Sequence, residues 1–321
     1  MNLLRMGSRG LAALLLFWVG LQSVQADCTS TSGSGNFGTP TSFTVASTAQ
    51  QVTATSGFTC SGSLLALAAT NTVTARIAST THAIGTTARL FNAANNQYLP
   101  YIICSDSACA MPVNVGASYT WSSTSLLGLL GLFNASDGSM PLYLKTATGA
   151  NLKAGLYNDN ITINWTYHIC FTGVLGVCAY TDGTATTVIA ASLAVTNFCY
   201  IDNAPNVSFG SAAFPSGFAS VTSNSLSIRC TQGATYGVKL ASSVGGSGQY
   251  RQMSSLNNGV TSYLQYQIFK GDASVWTAAT DMSMTGTGAS QSIGYTATVN
   301  ASQANPPAGS YSDTVLVTVT Y

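Results

Sequence analysis

The residues that could carry out acid–base chemistry are few and scattered. The 321 residues include nine acidic residues, all of them Asp, and two histidines, His82 and His168. A pair of Asp residues could hydrolyse a glycoside, but most of them lie in turns rich in Asn, Gly and Ser, where Asp is favoured for turn chemistry. No G-x-S-x-G motif and no phosphate-binding glycine loop is present. The sequence predicts a protein that is not an enzyme and needs no cofactor.

The cysteines are the other reactive side chains, and their number favours disulfides. An even number of cysteines in an exported chain indicates a disulfide framework. The rival interpretation, a metal site, lacks any C-x-x-C pair, and the chain has only two isolated histidines, His82 and His168, so no metal is expected. Repeat symmetry and proximity suggest one set of pairs, although other pairings remain open. The suggested pairs are Cys28 with Cys60, Cys104 with Cys109, Cys170 with Cys178, and Cys199 with Cys230.

The first 26 residues have the pattern of a secretory signal peptide. Arg5 and Arg9 precede an apolar stretch from Leu11 to Leu21, and the small residue Ala26 ends the segment. No later run approaches the roughly 20 apolar residues of a membrane span. Without Arg5 and Arg9, eight basic residues face nine acidic ones, so nothing attracts the chain to nucleic acid. We expect a soluble, exported protein.

The mature chain repeats itself, which predicts two homologous domains. The spacing from Cys28 to Phe37-Gly38 and Cys60 recurs from Cys199 to Phe209-Gly210 and Cys230, and two further blocks follow in the same order. Strict alternation, as in Ile161, Ile163 and Trp165, indicates strands with one buried face. We therefore predict an all-β protein with two immunoglobulin-like β-sandwich domains. The predicted segments are the signal peptide 1–26, an N-terminal domain 27–196 and a C-terminal domain 197–321.

Three motifs of this chain resemble the spore coat protein U domain family. They are C-x(8 or 9)-F-G, Tyr-Leu-x-Tyr, and the final AG-x-Y-x-D-x-[IV] strand. The resemblance implies a subunit of an archaic chaperone-usher pilus, and for two domains a tip adhesin at the fibre end. It implies a pilin fold that a strand from the next subunit completes. The implied partners are a periplasmic chaperone, an outer-membrane usher, the next pilin subunit, and an abiotic or host surface. The expected location is the fimbrium tip, reached through the periplasm.

The two copies differ at their C-terminal ends. Ile161 aligns with Val315, and the second copy stops six residues later at Tyr321, whereas the first continues to an alternating segment, 184–195. The missing strand predicts a groove that accepts a strand from another chain. Only Asp27 separates the predicted cleavage site from Cys28, so the chain should have no N-terminal strand to donate and should occupy a fibre end. The expected groove residues are Val315, Val317, Val319 and Tyr321.

Apolar loops of the first copy have no counterpart in the second. One follows Trp121, a second lies between Cys170 and Cys178, and a third candidate is Leu64, Leu65 and Leu67. Exposed apolar patches mark interaction sites, so we expect adhesion by hydrophobic contact, with attachment to surfaces and biofilm formation. The candidate surface-binding residues are Leu126, Leu127, Leu129, Leu130, Leu132, Phe133, Phe171, Val174, Leu175 and Val177.

Three alternatives to hydrophobic adhesion remain open from the sequence. The apolar loops could belong to the core. A glycan-binding tip lectin could use Tyr98, Tyr101, Trp121 and Asn134, although the two tyrosines recur in the second copy and so look structural. A non-adhesive pilus subunit or a spore or cyst coat component would need no binding loop at all.

Overall fold

The computed structural model describes residues 27–61, 67–125, 131–174, 177–279 and 281–321. The predicted signal peptide lies outside these residues. The described chain is almost entirely β-structure and has two hydrophobic cores, one built from residues up to Val195 and the other from residues beyond Cys199. We call these parts the first and second domains. The prediction of an all-β protein with two sandwich domains is confirmed.

The first domain contains the longer strands. Its strands are β1 (Asp27–Ser30), β2 (Gly33–Asn36), β3 (Gln51–Thr55), β4 (Phe58–Ser61), β5 (Leu67–Thr80), β6 (Ala88–Asn92), β7 (Gln97–Cys104), β8 (Ser118–Ser125), β9 (Pro141–Thr146), β10 (Gly155–Val174) and β11 (Val177–Val195).

One nine-stranded sheet, in the order β11-β2-β3-β9-β7-β6-β10-β5-β8, forms most of the first domain. Because β11 also pairs with β10, the sheet closes on itself around the first core. The predicted alternation along β10 is present: Ile161, Ile163 and Trp165 are fully buried, while the side chains between them point outward. A separate pair, β1 and β4, brings Cys28 opposite Cys60.

The second domain is a two-sheet sandwich. Its six-stranded sheet has the order β12-β13-β19-β17-β16-β15, and its three-stranded sheet has the order β18-β14-β20. Tyr236 and Trp276 fill the core between the sheets and are almost completely buried. The strands are β12 (Cys199–Asn203), β13 (Val221–Cys230), β14 (Thr235–Ser242), β15 (Gly246–Ser247), β16 (Tyr250–Asn257), β17 (Val260–Lys270), β18 (Met282–Thr285), β19 (Ser290–Val299) and β20 (Val315–Thr320).

Helical structure in the described residues is short. The helix α1 (Ser42–Ser47) begins after Thr41, whose side chain accepts a hydrogen bond from the backbone N–H of Thr44 and so caps the helix. A 3-10 helix (Pro215–Gly217) lies at the corresponding place in the second domain. None of the helices in the described part of the chain has the length and hydropathy to cross a membrane.

Four disulfides link strands or loops within the two domains. They join Cys28 to Cys60, Cys104 to Cys109, Cys170 to Cys178, and Cys199 to Cys230. Cys199 and Cys230 are directly opposite each other on β12 and β13, as Cys28 and Cys60 are on β1 and β4. The two equivalent disulfides therefore fix the first strand of each domain to its neighbour.

Candidate functional site

The last strand of the second domain has an open edge. On one side β20 pairs with β14 along its whole length. Within the described residues, no strand pairs with its other side. The counterpart of β20 in the first domain is β10, which lies between β5 and β11. The second domain thus lacks the strand that β11 provides in the first.

The consequence of the open edge is visible in the burial of equivalent side chains. Ile161, Ile163 and Trp165 of β10 are 0% exposed, whereas Val315, Val317 and Val319 of β20 are only partly buried. All three valines pack against the second core from one side. The final groove candidate, Tyr321, is 53% exposed, and its ring lies 6.0 Å from that of Phe198.

A cleft of about 360 Å³ lies beside β20. One wall is formed by residues 204–209, which connect β12 to the 3-10 helix, and the other by Tyr311, Asp313, Val315 and Val317. Core side chains, among them Leu226, Leu240, Met253, Tyr266, Ile268 and Tyr295, line the rest of the cleft. The cleft therefore opens directly onto the hydrophobic core of the second domain.

One end of the cleft is set by a buried hydrogen bond that recurs in the first domain. The hydroxyl of Tyr266 donates to Asp313 Oδ2 at 2.6 Å, as Tyr101 donates to Asp159 Oδ2 at 2.8 Å. Burial raises the pKa of both phenols above the usual range, and the neighbouring carboxylates raise it further. Tyr101 is 2% exposed, so it is a structural residue and has no exposed ring face for a glycan.

A buried arginine near this hydrogen bond is not evident from the sequence motifs. Arg251 is 4% exposed and donates through Nη2 to the carbonyl oxygen of Leu240 at 3.0 Å. Burial lowers the pKa of its guanidinium, while nearby Tyr266 and Asp313 act in the opposite direction. Arg251 pairs with Tyr266 across β16 and β17, as Ala88 pairs with Tyr101. The only sequence signal is a cation at an inward position of an alternating strand.

In the first domain, β11 occupies the place that is open in the second. It runs antiparallel to β10, with Val195 opposite Gly155, and parallel to β2 from Ile189 opposite Gly33 to Ser192 opposite Asn36. Its inward side chains are buried in the first core. They are Ile189, Ala191, Leu193 and Val195, which are 0%, 1%, 0% and 4% exposed.

The other candidate region is the end of the first domain that carries the start of β5, the end of β8 and the β10–β11 hairpin. Leu67 of β5 pairs with Ser125 of β8, and Thr72 of β5 pairs with His168 of β10. The start of β5, the end of β8 and the β10–β11 turn therefore lie at one end of the sheet. Leu67, Ser125, Val174 and Val177, which lie at this end, border the apolar sequence segments 62–66, 126–130 and 175–176. The second domain follows the opposite end of β11, after Val195.

The structure describes five of the ten predicted surface residues, and these fall into three groups. Leu132 and Phe133 are partly buried and pack against the first core, with the Phe133 ring 6.1 Å from that of Phe58. Part of each of these two side chains is thus already used in the core. Val177 is 78% exposed at the end of the β10–β11 hairpin. The backbone of Phe171 and Val174 belongs to β10. The other five lie outside the described residues: Leu126, Leu127, Leu129, Leu130 and Leu175.

The hairpin that carries Val177 is held by several interactions. Strands β10 and β11 remain paired up to Val174 opposite Val177, and the disulfide between Cys170 and Cys178 joins them. Further along, His168 Nδ1 lies 2.5 Å from Asp182 Oδ1, and the imidazole stacks on the ring of Tyr180 at 4.0 Å. These contacts reduce the conformational freedom that the hairpin would lose on binding.

The residues considered for glycan binding do not form an open aromatic surface. Trp121 is 9% exposed and packs in the first core, with its ring 6.3 Å from that of Trp165. Tyr98 is 38% exposed, but the Arg89 guanidinium lies over its ring at 4.1 Å and the Phe91 ring stacks at 4.6 Å. Among the described residues, no group of three or more His, Cys, Asp or Glu side chains could hold a metal ion.

Comparison with known families identifies the chain. The Spore Coat Protein U domain matches residues 14–164 and again residues 185–318. The chain belongs to this family. No curated protein matches it in sequence. Both family matches together extend over most of the chain, including β20 and the cleft beside it.

Two solved structures are similar to this spore coat protein U chain. One is a chain of the CsuC–CsuE chaperone–tip adhesion subunit pre-assembly complex, from the archaic chaperone-usher Csu pili of Acinetobacter baumannii. It is 24% identical, with a TM-score of 0.62, over 92% of this chain and 100% of that chain. The other, the CupB6 tip adhesin from Pseudomonas aeruginosa, is 15% identical, with a TM-score of 0.35, over 92% and 94% of the two chains. The first likeness shows the fold; the second is too distant to support an argument.

The first residues of the two family matches indicate to which repeat β11 belongs. The second match begins at residue 185, inside β11 and well before Cys199. The first match begins the same distance ahead of Cys28. In the repeat unit of the spore coat protein U family, β11 thus stands ahead of the second domain, although it packs in the core of the first.

Proposed function

We propose that this protein is the tip adhesin of an archaic chaperone-usher pilus. Residues 27–196 are the receptor-binding domain and residues 197–321 are the pilin domain. The chain is exported, held by a periplasmic chaperone, passed to an outer-membrane usher, and displayed at the end of a fibre on the cell surface. Membership of the spore coat protein U family supports a pilus role. The fold likeness to a chain of a chaperone–tip adhesion subunit complex favours the tip position.

The groove beside β20 is the proposed attachment point to the fibre. An extended segment from the chaperone, and later from the next subunit, adds a strand there and covers Val315, Val317 and Val319. Burying four apolar side chains contributes roughly 6–12 kcal/mol, at about 1.5–3 kcal/mol each. That is comparable with the stability of a whole domain. The buried side chains of β11 in the first domain indicate what the completed groove contains.

Adhesion is assigned to the far end of the first domain. The single observation that supports this assignment is that the start of β5, the end of β8 and the tip of the β10–β11 hairpin lie at the same end of the sheet, opposite the end of β11 that leads into the second domain. In the sequence, these described strand ends border the apolar segments 62–66, 126–130 and 175–176. A binding site there faces away from the fibre. Leucine side chains in these segments, together with the exposed Val177 beside them, favour contact with apolar surfaces, and such attachment would support biofilm formation.

The test is adsorption of the mature protein to polystyrene and to glass. A donor strand fused after Tyr321 keeps the second domain complete. One variant changes Leu129, Leu130, Leu175 and Val177 to Ser. The matched control is Leu156→Ser, which alters a side chain that is 56% exposed near the opposite end of β10.

We expect the quadruple variant to lose most of its adsorption to polystyrene while its melting temperature stays close to that of the unmodified protein. The Leu156→Ser control should adsorb normally. If the quadruple variant unfolds at a much lower temperature, its side chains belong to the core and the adhesive assignment is wrong. Retained adsorption, or selective binding to a glycan array, would instead favour a lectin or a coat subunit.

A further inference from the structure

The two domains of this chain meet in a close interface. Only three residues, 196–198, separate the end of β11 from the start of β12. The hydroxyls of Ser42 and Thr231, both buried, lie 2.7 Å apart. Gln97 Nε2 donates to Gln232 Oε1 at 3.1 Å, and the backbones of residues 153 and 232 form a parallel bridge. These contacts fix the second domain against one end of the first.

Aromatic and charged side chains complete this interface. The Arg229 guanidinium lies 5.2 Å from the Phe43 ring of the first domain and 4.9 Å from the Tyr200 ring of the second. Arg229 also forms an ion pair with Asp202. Asn151 Nδ2 donates to the carbonyl oxygen of Thr287 at 3.0 Å. The first domain thus contributes α1 and the 149–153 segment, and the second contributes residues flanking its Cys199–Cys230 disulfide.

In the second domain, the segments equivalent to α1 and to 149–153 line a free cleft of about 310 Å³. This second cleft lies between the 212–218 segment, which contains the 3-10 helix, and the 305–311 segment. Aligning the repeats on Phe37 with Phe209, and on Tyr157 with Tyr311, gives the equivalent positions. The equivalent pairs are Ser42 and Phe214, Phe43 and Pro215, Asn151 and Asn305, and Lys153 and Pro307.

The second cleft adjoins the groove for the donor strand. Tyr311 lines both. In the first domain, β11 ends with Val195 opposite Gly155 and leads at once into the second domain. The counterpart of Gly155 is Gly309, which lines the second cleft. A donor strand with the orientation of β11 would therefore leave the groove at this cleft.

We propose that the second cleft docks the body of the next subunit, through the face that flanks that subunit's first disulfide. The junction between this chain and the fibre then repeats the junction between its own two domains. In this arrangement β11 is the donor strand of the second domain, inserted within its own chain. The inference rests on the proposed donor-strand role of the groove. A three-residue linker spans at most about 14 Å. A linker of similar length after the donor strand would therefore place the body of the next subunit at this cleft.

The chemistry of the second cleft defines the partner face. Its lining has no charged side chain, and Phe214 is 63% exposed. Phe218, Pro306 and Pro307 add apolar surface beside it. Exposed aromatic side chains are the usual anchors of protein interfaces. The partner face should therefore be apolar, unlike the interface within this chain, where Arg229 takes part.

The experiment compares a donor strand alone with a donor strand that carries its subunit body. The mature full-length chain, held by its chaperone, is incubated with a single-domain subunit of the same family or with a synthetic peptide of that subunit's N-terminal segment. The variant is Phe214→Asp, with Pro307→Asp as a second variant should the first fold poorly. The control is Leu316→Asp, because Leu316 is 64% exposed on the outer face of β20.

We expect peptide and subunit to raise the melting temperature of the second domain, but only the subunit should protect the amides of 212–218 and 305–309 from hydrogen exchange. Phe214→Asp should weaken subunit binding about tenfold or more, as loss of an interface hot spot does, and leave peptide binding unchanged. Equal subunit binding by the variant and the control would overturn the docking proposal and leave the donor-strand role intact. If neither probe binds the unmodified chain, the donor-strand role fails, and the docking proposal with it.

Discussion

Replacing Leu193 by Ala measures how much a strand at the position of β11 contributes to a domain of this fold. Leu193 is 0% exposed and lies opposite Tyr157 of β10, which is also 0% exposed. Truncation of a buried Leu to Ala removes apolar contacts and leaves a cavity, at a cost of about 2–5 kcal/mol. For a loss of about 3 kcal/mol, the melting temperature of a domain of this size falls by about 6–12 °C.

Differential scanning calorimetry on the mature chain, with a donor strand fused after Tyr321, follows the first-domain transition. The matched control is Val188→Ala on the same strand, because Val188 is 41% exposed and points away from the core. This control should change stability by no more than about 0.5 kcal/mol. Equal shifts for Leu193→Ala and Val188→Ala would mean that β11 is not part of the core. In that case β11 would not be a guide to what fills the groove beside β20 in the second domain.

Two further changes test the buried phenols and the interface between the domains. The pKa values of Tyr101 and Tyr266 are raised in the folded protein. Their contribution to the free energy of unfolding is therefore fully present below pH ~10. Above that pH only the unfolded state ionises, so each tyrosine should lower stability by about 1.4 kcal/mol per pH unit. Tyr266→Phe should reduce this slope in urea unfolding between pH 9 and 11, and an unchanged slope would contradict the assignment. Arg229→Ala removes the cation that lies over both the Phe43 and the Tyr200 ring. We expect looser domains in small-angle scattering with unchanged melting temperatures; an unchanged scattering profile would mean that this contact does not fix the domains.

The sequence predicted those features that depend on local pattern and on repetition. Alternation at Ile161, Ile163 and Trp165 predicted a strand with one buried face, and the structure has it. Alignment of the repeats predicted a strand over 184–195 that the second copy lacks. In the structure this segment belongs to β11, and the equivalent edge of β20 has no partner among the described strands.

Features that depend on contacts between distant segments could not be read in the same way. The parallel pairing of β11 with β2 closes the first domain, but Gly33 and Gly35 give no alternating signal. Phe133 packs against the first core, but it follows a leucine-rich segment that is interrupted by Gly128 and Gly131 and has no periodicity. Arg251 has no charged partner close in sequence, and the proximity of Asp313 follows only from the fold. The contact of Ser42 with Thr231 likewise joins residues of different repeats.

The course of β11 suggests how this fold carries load. The strand starts at Val177, beside the apolar connections, and ends at Val195, three residues before the second domain. In the proposed adhesin, a force between a surface bound at the far end of the first domain and the fibre would act along β11. Antiparallel pairing with β10 extends from Gly155 opposite Val195 to Val174 opposite Val177. When the anchor lies on another strand of the sheet, pulling on Val195 loads these hydrogen bonds together in shear, not one after another, and the four buried side chains of β11 must leave the core at the same time. A donor strand in the second-domain groove, with the same orientation, would be loaded in the same way, so the resistance of both junctions depends on the same geometry.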